Sequence, residues 1–174
     1  RSEIARIAFP SLCLDFADLR PAMLFMGSMP DDCFTIVFVL ECPEPGHTFN
    51  FSTSHTDGYI GFFPPGGLVD AMTPSGYANA TLTIPTDEFY TAVSRHFPEM
   101  PESILSSGTA MRVPENEQRV LRSLLAEMKT TLRKKPESFA DTRVMLEAER
   151  HLIAAFLGAL RGGCDHLLPR SSGT

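Results

Sequence analysis

The 174-residue chain is 43% hydrophobic and 21% charged, the balance of an ordinary globular domain that buries a core of its own. Its net charge is −6, and its densest basic run is Arg133-Lys134-Lys135 at an expected helix end, so a surface that holds nucleic acid by itself is excluded. No apolar run approaches the roughly 20 residues that span a bilayer, and no signal core opens the sequence, so membrane and secreted classes are set aside.

The cysteines, Cys13, Cys33, Cys42 and Cys164, include no C-x-x-C pair, and three sit in apolar runs. That pattern points to a reduced, cytoplasmic protein.

In chain order, Leu12, Leu14 and Phe16 alternate with Cys13, Asp15 and Ala17, the period of a half-buried strand. Met23 to Met26 is a short apolar run. Phe34 to Leu40 is rich in β-branched and aromatic residues and predicts a buried central strand. Phe49 and Phe51 alternate with Asn50 and Ser52. Tyr59–Phe63, Leu68–Met72 and Ala78–Ile84 follow. Proline- and glycine-rich turns such as Asp57-Gly58, Pro64-Pro65-Gly66-Gly67 and Pro74-Ser75-Gly76 separate them. Seven to nine short strands at near-regular spacing predict a sandwich or small barrel.

The second half changes character. Thr86, as N-cap, with Asp87 and Glu88 opens a helix to about Phe97, stopped by Pro98. A helical turn near Glu102–Leu105 and a strand at Thr109–Val113 are expected next. Two longer helices follow. The first carries Val120, Leu121, Leu124, Leu125, Met128 and Leu132 at helical spacing behind Pro114. The second runs from about Ser138 to Arg161, ended by Gly162-Gly163. Its apolar set, from Met145 to Leu160, is too wide for one face, and a symmetric self-contact would cover the surplus.

The common catalytic signatures are missing: no G-x-S-x-G, H-E-x-x-H, G-x-x-x-x-G-K or G-x-G-x-x-G occurs. His47, His55, His96, His151 and His166 form no metal-binding spacing, so neither a metal nor another cofactor is expected. Between Phe49 and His55, polar Asn50, Ser52 and Ser54 share the strand face opposite Phe49 and Phe51. That face is either solvated edge or a ligand-binding surface of orientable hydrogen bonds.

The segment Gly58 to Pro85, with Gly-Tyr-Ile-Gly-Phe-Phe-Pro-Pro-Gly-Gly and Pro-Ser-Gly-Tyr-Ala-Asn-Ala-Thr-Leu-Thr-Ile-Pro, resembles the N-terminal domain of a group of AraC-family regulators. The resemblance implies an α+β fold, a cupin-like β-barrel or sandwich followed by two long C-terminal helices. It implies a barrel sensor domain over 1–113, a two-helix dimerisation segment over 114–163, and a linker over 164–174 to a helix-turn-helix domain missing from this chain. Such a domain senses a small-molecule effector, forms a homodimer through its helices, and is not an enzyme.

A narrower resemblance, to the cyclic di-GMP site of PilZ domains, rests on Asn50-Phe51-Ser52, which matches the start of a [D/N]-x-S-x-x-G strand. His55 stands where the glycine should be. The accompanying R-x-x-x-R segment is not intact, since Arg1 and Arg6 are five apart. This resemblance implies cyclic di-GMP as effector, held by guanidinium forks of Arg1, Arg6 and Arg20 and by Asn50, Ser52, Ser54 and His55. The alternatives are another effector inside the barrel (a sugar, aromatic acid or fatty acid), a metal-free cupin-type enzyme, and a dimerisation module without ligand.

Overall fold

Alternation along two strands organises the protein. In β4 (Cys33–Glu41), Phe34, Ile36 and Phe38 point to one side and Thr35, Val37 and Val39 to the other, and all six are buried. A strand apolar on both faces needs cover on both. Its partner β9 (Tyr77–Pro85) does the same with Ala78, Ala80, Leu82 and Ile84 against Tyr77, Asn79, Thr81 and Thr83.

The structure, a computed structural model, describes residues 2–43, 47–49 and 53–167, and of 47–49, 53–54 and 165–167 the backbone alone. The remaining strands are β1 (Glu3–Ala8), β2 (Cys13–Leu19), β3 (Met23–Ser28), β5 (His47–Phe49), β6 (Thr53–His55), β7 (Tyr59–Phe63), β8 (Leu68–Thr73) and β10 (Thr109–Arg112). The helices are α1 (Thr86–His96), α2 (Glu102–Ser107), α3 (Glu115–Lys134) and α4 (Thr142–Leu167), with a 3-10 turn at Pro136–Ala140.

A six-stranded sheet in the order β1-β2-β9-β4-β7-β10 faces a four-stranded one, β3-β8-β5-β6, and the described pairs are antiparallel. The class is α+β, a cupin-like β-body with helices on its outer side, as expected. The larger sheet is the shared wall. One face carries the main core: Leu14, Phe16, Phe34, Phe38, Phe62 and Leu82 pack against Phe89 of α1, Leu121 and Leu125 of α3, and Leu152 and Phe156 of α4. The other face looks into the barrel. β1 was not foreseen, because in Glu3–Ala8 only Ile7 is buried.

Local chemistry sets the helix ends. Thr86 does not cap α1 with its side chain. Pro85 holds the N-cap position, and the Thr86 hydroxyl and amide donate instead to the Asp32 carbonyl, at 2.8 and 3.0 Å. The Asp141 carboxylate accepts from the Arg143 amide at 2.8 Å, which starts α4 four residues later than the periodicity suggested. Arg133, expected simply to favour a helix end, also reaches Glu3 at 2.8 Å and ties α3 to β1.

Gly162 and Gly163 do not end the last helix, which continues to Leu167, so Cys164 belongs to the core rather than to a linker. The glycines serve close packing. A Cβ on Gly163 would lie 2.5 Å from Cγ and Sδ of buried Met111, and one on Gly162 3.0 Å from Pro114. Gly158 has open space. Gly163→Ala is therefore expected to cost about 1 kcal/mol, while Gly158→Ala gains about 0.5–1 kcal/mol of helix propensity. Thermal melts of the two variants would shift in opposite directions.

The wide apolar stripe of α4 is largely used within the chain: Leu152, Phe156, Leu157, Ala159 and Leu160 are all buried. Among the described residues, the large hydrophobics left exposed on the two long helices are Val120, Val144 and Leu146. Among the described residues, no helix is long and apolar enough to cross a membrane.

Candidate functional site

The inner face of the larger sheet is lined by side chains of mixed character. On β9, every second residue gives the series Tyr77, Asn79, Thr81, Thr83. Across the strand pair, Thr35 stands opposite Thr83 and Val37 opposite Thr81. The smaller sheet answers with Phe25, Val69, Ala71 and Thr73. Between the sheets these groups enclose a cavity of about 330 Å³, open on one side. That is the low end of small-molecule sites, about 300–1,000 Å³.

The lining is mainly apolar, with a few hydrogen-bonding groups. Thr81 donates to the Asn79 side-chain oxygen at 3.4 Å, and Thr73 to the Met23 carbonyl at 3.5 Å. Burial pushes the Tyr77 phenol well above its usual range, and a hydrogen bond with Asn79 works partly against that. Thr35 is 3% exposed, and its hydroxyl has no hydrogen-bond partner among the described residues. Among the described residues, none that lines the cavity is charged.

The cavity borders the margin of the larger sheet. Thr81 pairs with Asp15 on β2, and Asp15 with Arg6 on β1, so the three share one cross-strand row on the cavity-side face. Arg6 holds both carboxylate oxygens of Asp15, at 2.7 and 2.8 Å. That hydrogen bond, then the charge of Asp15, raises the guanidinium pKa further.

The other residues expected to bind ligand are dispersed or undescribed. Arg20 lies in the exposed turn after β2, with Nε 3.8 Å from Asp18, and its carbonyl accepts from Ser75. His55 of β6 is buried against the Tyr59 ring, centroids 4.5 Å apart, and its carbonyl accepts from the Cys42 thiol. The Ser54 backbone pairs with Thr48 on β5. Arg1, Asn50 and Ser52 lie outside the described residues.

The cavity-facing series on β9 was missed as a site. Its signal was present in the strand expected at Ala78–Ile84, where Asn79, Thr81 and Thr83 alternate with apolar residues. Polar alternation in a strand usually marks a solvated face, and here it marks an enclosed one.

Burial lowers the His55 pKa. The unfolded chain therefore takes a proton before the folded one does. Stability is complete above the ordinary histidine value, about 6.5, and falls as pH drops from there towards the lowered folded value. The melting temperature is expected to fall from about pH 6.5 downward, and His55→Gln should flatten that part of the profile.

No family model matches the chain, and no curated protein matches it in sequence. Solved structures match it in fold. The AraC-like transcriptional activator CuxR superposes with a TM-score of 0.56 over 90% of this chain and 55% of its own, at 12% identity. ToxT from Vibrio cholerae, solved with an unsaturated fatty acid bound, gives 0.48 over 83% of this chain and 55% of its own, at 11% identity. A cupin-family protein with a double-stranded β-helix from Methanocaldococcus jannaschii gives 0.36 over 52% of this chain and 86% of its own, at 8% identity. The protein thus shares the fold of an AraC-like activator, and it spans about half the length of the two regulators it matches.

Proposed function

We propose that this chain is the effector-sensing and dimerising part of an AraC-type transcription regulator, with its effector held inside the barrel and DNA contact made by a separate domain. The observation that carries the reading is the 330 Å³ cavity between the sheets, lined by apolar groups and a few hydroxyls. The fold shared with an AraC-like activator supports the class. Nothing in this reading requires catalysis.

Dimerisation is assigned to the helical layer. The exposed Val120, Val144 and Leu146 are its apolar contribution on α3 and α4. The segment from 114 to the end of α4 then forms the dimerisation unit, and a linker would begin after Leu167.

The site expected for cyclic di-GMP is the second reading, favoured by one observation: Arg6 lies on the cavity-side face and remains largely exposed. Its guanidinium is already neutralised by Asp15, which makes it a poor host for a phosphate.

The test is a fluorescence titration of the 174-residue protein with neutral N-phenylnaphthylamine, alongside calorimetry with cyclic di-GMP and size-exclusion chromatography. Saturable dye uptake, abolished in Ala71→Phe and weakened in Thr81→Leu, is the expected result. Absence of uptake, or uptake indifferent to both variants, overturns the cavity reading. Heat with cyclic di-GMP that disappears in Arg6→Ala would move the site to the sheet margin. Elution as a dimer that Leu146→Glu splits is expected for the helical interface.

A further inference from the structure

We infer that the cavity selects an uncharged ligand: a largely apolar molecule carrying one hydroxyl, carbonyl or amide group, in preference to a carboxylate or an amine of the same shape. The inference rests on the barrel reading above and names the chemistry of that site.

Three observations converge on it. Among the described residues, no charged side chain lines the cavity. An ion moved away from its open side would lose hydration and gain no counter-charge from the walls, which is unfavourable. Of the charges on the same sheet face, Asp15 and Arg6 are committed to each other by two short hydrogen bonds, and Arg112 stands on the far edge strand β10. An anion at the margin meets the Asp15 carboxylate, and a cation competes with Arg6 for it.

The third observation is positive. Thr35 lines the cavity, is almost wholly buried, and has a hydroxyl without a partner. Thr83 stands directly opposite it on the neighbouring strand. A hydroxyl both donates and accepts, so this pair suits a neutral polar group of either kind. A buried polar atom left unsatisfied is costly, and a ligand towards which the Thr35 side chain turns its hydroxyl recovers that cost on binding. Thr35 is thus the positioning residue, and the uncharged walls set the specificity.

The experiment is competition against bound N-phenylnaphthylamine by decanol, decanoate, decylamine and chlorodecane. Decanol is expected to displace the dye at about ten-fold or more lower concentration than either ion. Thr35→Val is expected to weaken decanol about five-fold while leaving chlorodecane unchanged. Decanoate or decylamine matching decanol would overturn the inference while leaving the barrel site standing. Equal loss of decanol and chlorodecane in Thr35→Val would remove Thr35 from the role. A protein that never takes up the dye would instead fail the barrel reading itself.

Discussion

Phe89→Ala is expected to be the most damaging single substitution considered, lowering stability by about 3–5 kcal/mol. Phe89 is fully buried at the first turns of α1. Its ring stacks on Phe34 with centroids 4.0 Å apart and lies 5.6 Å from Phe62. Phe34 and Phe62 are themselves stacked at 5.4 Å, so the three rings form one closed group joining α1 to β4 and β7. Truncation removes the burial of a whole ring and three aromatic contacts, the third an edge-on one to Tyr90, and leaves a void in a packed core. Urea unfolding should show a lower midpoint at unchanged slope. Phe89→Leu, which refills part of the space, should lose distinctly less. Equal losses for the two variants would mean that refilled volume recovers nothing and that the ring contacts carry the whole effect.

Thr35→Val is expected to act in the opposite direction, stabilising the ligand-free protein by about 1–3 kcal/mol. The side chains are nearly the same shape, and the hydroxyl replaced is buried without a partner. Valine also suits a central strand. The control is Thr83→Val on the opposite strand, whose half-buried site makes a smaller gain the expectation. On the proposed reading, a protein that retains such a group at a cavity wall trades stability for recognition. A destabilised Thr35→Val would show instead that the hydroxyl is satisfied in solution.

Much of the architecture was legible in the sequence, for identifiable reasons. Phe34–Leu40 declared a doubly covered strand, because seven consecutive apolar or β-branched residues suit little else. Turn chemistry at Asp57-Gly58 and Pro74-Ser75-Gly76 marked strand ends, and Gly58 and Gly76 indeed adopt positive φ, 79° and 80°. Three features were not legible. β1 carries too few buried residues to signal a strand. The share of the apolar width of α4 that is used within the chain was hidden, because periodicity cannot reveal that one helix packs on α1, α3 and the sheet together. Gly162-Gly163 resembled a helix end, and only the position of Met111 explains why it is not one.

The candidate site was legible in its chemistry and illegible in its place. A strand face of small hydrogen-bonding residues was expected, and it was sought at Asn50–Ser54. The enclosed series stands on β9. Which polar face is covered depends on where β3 and β8 lie, and that is decided by pairing across some fifty residues of chain, as between Met23 and Thr73.

The wall shared by the cavity and the helical core is a single strand layer thick. Thr35 faces Thr83 on one side of it, and one residue earlier Phe34 faces Ile84 on the other. A guest that parted the two strands at Thr35 and Thr83 would also part Phe34 from Ile84, because both pairs ride on the same two backbones. Phe34 bears the ring of α1, and α1 in turn packs on α4. A shift of these two strands, imposed from either side, would therefore reach both the cavity lining and the seat of α1.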